Sequence, residues 1–73
     1  MENQYFSKEG LEKLKQELEQ RTNVTRLEIA NRIREAKELG DLSESAEYAE
    51  AKEAQSHNEG RVEEIKTILE NAV

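Results

Sequence analysis

The residue that most constrains this chain is Gly40. The 73 residues contain no proline, and Gly40 falls near their middle, between two halves rich in Glu, Lys, Leu and Ala. These are strong helix formers, and a glycine just past a periodic run is where a helix stops. Before it, Leu11, Leu14, Leu18, Thr22, Thr25, Ile29, Ile33 and Ala36 recur at spacings of three and four, which defines one face of a long helix. Ser7 is suited to cap that helix, with Phe6 stapled onto Leu11. The spacing 3-4-4 follows an 11-residue more closely than a 7-residue repeat, so little left-handed supercoil is expected. After it, Asp41 opens a second helix whose seam is expected at Ala46, Ala49, Val62, Ile65, Leu69 and Ala72. The predicted fold is all-α, a long antiparallel two-helix coiled-coil hairpin with an acidic tip. Its helices run from about 7 to 39 and about 43 to 72, with a tip at about 40–42. Each arm reaches roughly 45 Å at about 1.5 Å per residue.

Pairing the arms about a tip near residue 41 sets Leu14 opposite Ile68, Leu18 opposite Ile65, Ile33 opposite Ala49 and Ala36 opposite Ala46. The same register puts Thr22 and Thr25 opposite Gly60 and His57. The seam is therefore apolar at the base, small near the tip and polar at mid-height, where fraying or bending is expected. Two facing helices bury only one stripe each, so an isolated hairpin is marginal. The chain is accordingly expected to be the N-terminal piece of a longer protein. The alternative is a complete small protein that self-associates through its seam.

Composition removes several classes. There is no cysteine, hence no disulfide framework and no thiolate metal site. No apolar run approaches the roughly 20 residues of a membrane span. The first residues lack the layout of a signal peptide, so a cytoplasmic location is expected. The formal charge of −6 disfavours stand-alone binding to nucleic acid. That charge is concentrated: Glu38, Asp41, Glu44, Glu47, Glu50 and Glu53 lie within 16 residues that hold one base, Lys52.

Two readings of Asp41 and Glu44 stand side by side. At the start of a helix their spacing suits a capping box. Two carboxylates at a hairpin tip also make half of a Mg²⁺ site, because Mg²⁺ accepts one or two carboxylates and relies on waters and substrate phosphates for the rest. Two carboxylates cannot complete a two-metal site, which argues against a self-sufficient nuclease. Glu47, Glu50 and Glu53 read as a mostly solvated face. Tyr48 is placed to brace the tip or to pack across to Leu39. Lys37 and Lys52 beside the tip, with Arg32 and Arg34 below it, form either helix-stabilising pairs or a basic strip for a phosphodiester chain. His57 reads as surface or waist.

The run Gly40-Asp41-Leu42-Ser43-Glu44-Ser45-Ala46-Glu47-Tyr48 resembles the signature of the bacterial transcript cleavage factors, the Gre family. The opening Phe6-Ser7-Lys8-Glu9-Gly10-Leu11-Glu12-Lys13-Leu14 and the later Glu59-Gly60-Arg61-Val62 fit the same family. The resemblance covers essentially the whole chain. It implies an N-terminal coiled-coil hairpin, followed in the family by an FKBP-like domain that this sequence does not contain. It further implies entry into the secondary channel of RNA polymerase and stimulation of that enzyme's own cleavage of backtracked RNA. The chain would then be an activator and not itself an enzyme. Carried over residue by residue, Asp41 and Glu44 would help hold a second Mg²⁺ shared with the polymerase, with no metal expected on the isolated chain. Lys37 and Lys52 would lie near the 3′ segment of the nascent RNA, with Leu42, Ser45 and Tyr48 supporting the tip. Ser45 stands where the family usually has Asn, and Leu27 where many members have Pro. Some Gre homologues use the same hairpin to inhibit polymerase. The rival outside the family is a coiled-coil interaction module whose tip acids only cap.

Overall fold

The computed structural model describes residues 7–39 and 46–72. The expected Phe6 staple, the Gly40 stop, the Asp41–Glu44 box and the start of the second helix at 43–45 lie outside these residues.

Two helical arms run side by side. The first contains α1 (Lys8–Gln20), a π-helical turn (Arg21–Thr25) and α2 (Arg26–Glu38), and the second is α3 (Ala46–Asn71). Ser7 caps α1 as its residue type suggests: its extended backbone (φ −68°, ψ 159°) lets Oγ accept the Gly10 amide at 2.9 Å. The first arm ends on Leu39, whose amide reaches the Ala36 carbonyl at 3.2 Å in a tightened last turn. The molecule measures 49 × 23 × 13 Å, with a radius of gyration of 15.9 Å. A compact chain of this length would have a radius of roughly 11 Å, so the shape is a rod. Among the described residues no helix is long and apolar enough to cross a membrane.

Every seam position expected on the first arm is turned inward: Ile29 and Ala36 are buried, and the other six are half-buried. On α3 the lower seam also follows the expectation. Val62 and Ile65 are fully buried, and Leu69 and Ala72 half-buried. Burial of such aliphatic side chains contributes about 1.5–3 kcal/mol each.

The upper part of α3 departs from it. Ala46 and Ala49 are exposed, and so are Gly60 and His57, which the register about residue 41 sets opposite Thr22 and Thr25 respectively. The inward line runs instead through Tyr48, Ala51, Gln55 and Asn58, continuing the strict alternation of three and four that Val62, Ile65, Leu69 and Ala72 begin. The helix chooses this line because Asn58, although polar, finds bonding partners in the seam. A register paired about residue 41 requires two arms of equal rise, and the π-turn in the first arm breaks that equality.

Candidate functional site

Asp41, Leu42, Glu44 and Ser45 lie outside the described residues, between the end of α2 and the start of α3 in sequence. Lys37 lies in the last turn of α2 and is exposed. Lys52, near the start of α3, is also exposed, and its Nζ donates to Gln55 Oε1 at 3.0 Å. Tyr48 is half-buried, while Leu39, which the sequence offers as its partner, remains 67% exposed. Arg32 lines two shallow grooves, one with Glu50 and Glu53, the other with Glu35 and Glu47. The strip below the tip is therefore of mixed charge. Among the described residues no three His, Cys, Asp or Glu side chains stand close enough to hold a metal ion.

The best-defined polar arrangement lies at the waist, and the sequence reading missed it. Glu17 on α1 is gripped from both arms. Arg21 Nε donates to its Oε2 at 2.8 Å, and Arg61 on α3 donates through Nε to Oε2 at 2.8 Å and through Nη2 to Oε1 at 3.0 Å. The Arg61 pairing is bidentate, the geometry that a planar guanidinium favours. These bonds, with Arg61 contributing most and Arg21 next, hold the Glu17 carboxyl down to about 2 from an ordinary 4.5 and raise the Arg61 pKa. Arg61 also pairs with Glu64 on its outer side.

Asn58 sits beside this cluster, 2% exposed. Its Oδ1 accepts from Arg21 Nη1 at 3.0 Å, and its Nδ2 donates to the Arg21 carbonyl at 3.2 Å. A guanidinium only donates and a carbonyl only accepts, so these partners fix which way the amide points. Arg26 completes the waist with a bidentate pair to Glu59, both bonds 2.7 Å, which lowers the Glu59 pKa. Among the described residues no buried side-chain polar atom lacks a partner. Arg21, Asn58 and Arg61 carry only an indirect sequence signal, flanking Thr22, His57 and Gly60 where apolar residues give out, and Glu17 carries none.

A slim rod of two helical arms joined by a hydrogen-bonded waist is an all-α helical hairpin. Residues 4–73 match the family described as "Transcription elongation factor, N-terminal", covering both GreA and GreB, and the chain belongs to that family. It is 53% identical over 68 residues to the transcription elongation factor GreA of Roseiflexus sp. (strain RS-1), covering 93% of this chain and 43% of that protein. The protein of the same name from Thermosipho africanus is 52% identical over 68 residues, covering 93% and 44%. That from Acetivibrio thermocellus is 50% identical over 64 residues, covering 88% and 40%. The chain thus spans less than half the length of these curated relatives.

Proposed function

We propose that this chain is the reach-and-deliver domain of a transcription elongation factor. In this reading it enters the secondary channel of RNA polymerase and presents Asp41 and Glu44 to the catalytic centre, stimulating cleavage of backtracked RNA. The observation that carries the reading is the family match across residues 4–73, which includes the whole tip motif. The rod supports it physically: 49 Å of length is reach, and small buried residues near the tip, Ala36 and Ala51, let the arms lie close together.

Two carboxylates suit Mg²⁺, a hard cation that takes oxygen ligands, but they are too few to hold it tightly alone. Asp41 and Glu44 would therefore share it with polymerase carboxylates. Bound there, Mg²⁺ supplies charge neutralisation and an activated water. Lys37 and Lys52, both exposed near the tip, would offset repulsion between the acids and the RNA 3′ segment. The location that goes with this role is the bacterial cytoplasm.

Substituting Asp41→Asn separates delivery from capping, because Asn caps about as well as Asp while lacking the charge. Added to backtracked elongation complexes, the parent chain should shorten the RNA from its 3′ end. The variant should melt nearly as the parent does and leave cleavage at the level of polymerase alone. Unchanged stimulation by the variant would remove the metal-sharing role. Slowed elongation without cleavage by the parent would assign the hairpin to inhibition.

A further inference from the structure

The two arms offer unequal lengths of chain to one seam. From Leu11 to Ala36 the first arm takes 25 residue steps, whereas α3 takes 24 from Ala72 to Tyr48, with eight seam-line positions on each. Below the waist the spacings agree, since Leu11, Leu14 and Leu18 step by three and four as Ala72, Leu69 and Ile65 do. Above it they agree again, Ile29, Ile33 and Ala36 stepping by four and three as Gln55, Ala51 and Tyr48 do. The discrepancy lies wholly between Leu18 and Ile29, which are 11 steps apart against 10 for Ile65 and Gln55. Uncorrected, one residue turns a helix face by about 100°.

The π-turn Arg21–Thr25 falls inside this interval. Its closing bond runs from the Arg26 amide to the Arg21 carbonyl, one residue farther than an α-helical bond. The same carbonyl receives Asn58 Nδ2, and the side chain of Arg21 holds Asn58 Oδ1. Asn58 therefore binds the residue at which the ladder lengthens. The Thr22 hydroxyl, bonded to the Leu18 carbonyl at 2.9 Å, satisfies part of the loosened turn.

We infer that the π-turn is a register joint. It stores the one surplus residue of the first arm at the waist, where Asn58 anchors it. The apolar base and the tip-bearing half can then each keep register with α3. This rests on the fold alone and stands whatever the hairpin does to polymerase.

Two deletions test it on this chain. Leu27 is 65% exposed and lies in the mismatched interval of the first arm. Deleting it makes the arms equal, so the melting temperature should stay within about 5 °C of the parent or rise. The through-bond coupling of the Arg26 amide should move from the Arg21 to the Thr22 carbonyl. Ser56 is exposed and lies in the matching interval of α3. Deleting it doubles the mismatch and should lower the melting temperature by at least about 10 °C. Combining both deletions restores a one-residue surplus and should recover much of that loss. The inference is overturned if deleting Leu27 is as damaging as deleting Ser56, or if the Arg26–Arg21 coupling survives it. It also fails if both single deletions are harmless, or if the double deletion melts below that of Ser56 alone.

Discussion

The base and the waist hold the same two helices together by different physics. At the base, Val62 and Ile65 are fully buried opposite an arm lined by Leu11, Leu14 and Leu18. At the waist, the buried residue is an asparagine bonded to Arg21, which shares Glu17 with Arg61. Apolar burial is non-directional and scales with area, so the base sets how strongly the arms adhere without strictly fixing how they are aligned. Hydrogen bonds of fixed donor and acceptor sense tolerate no slip, so the waist fixes alignment while contributing less net energy. A two-helix rod held in one register needs both.

The largest effect of a single substitution is expected at the base. Ile65→Ala removes buried methyl groups and should cost about 2–4 kcal/mol. For a two-helix chain with little stability to spare, that abolishes cooperative melting near room temperature, as followed by circular dichroism at 222 nm. A variant that still melts within a few degrees of the parent would move the main adhesive role to the waist.

At the waist a smaller, pH-dependent effect is expected. Glu17 titrates at about 2 in the fold against an ordinary 4.5. Because its folded value is the lower one, its stabilising contribution is complete above pH 4.5 and is lost as pH falls towards 2. With the side chain one-third exposed, solvent screens the pair and the contribution is held to about 1 kcal/mol. The melting temperature of the parent should therefore fall between pH 5 and 2 by roughly 5 °C more than that of Glu17→Gln. Parallel curves for the two would show that the Arg21 and Arg61 bonds do not contribute to stability.

These regions were unequally legible in the sequence. The base could be read because leucine, isoleucine and valine at helical spacing carry the burial signal themselves. The first arm could be read even through its threonines, whose places the flanking aliphatics dictate. The α3 waist could not, because Asn58 has no apolar signal and is buried only because Arg21 offers it both a donor and an acceptor. Ala46 and Ala49 looked like seam residues since alanine is apolar, yet alanine is equally at home on an exposed helix face. Tyr48, Ala51 and Gln55 were the true continuation, and the strict 3-4 alternation running down to Ala72 was the available clue. Asp41 and Glu44 lie in a motif that the family match spans, while the bonds that align the two arms have no motif of their own.

Gly60 gives the finest test of the division between base and waist, since it lies on α3 between Asn58 and Val62. A glycine inside a helix costs about 0.5–1 kcal/mol relative to alanine. Such a cost is usually tolerated where a side chain would collide, but a Cβ at Gly60 meets no atom within 4 Å, and the residue is exposed. Nothing within the hairpin requires it. Gly60→Ala should therefore raise the melting temperature by a few degrees, about 4 °C, with the Glu17–Arg61 and Arg21–Asn58 bonds intact. A fall would mean that α3 needs backbone freedom to bring Asn58 and Val62 inward together, which would couple the two regions. A gain in stability accompanied by weaker stimulation of polymerase would place the reason for the glycine outside the hairpin, in a partner surface that approaches the backbone there.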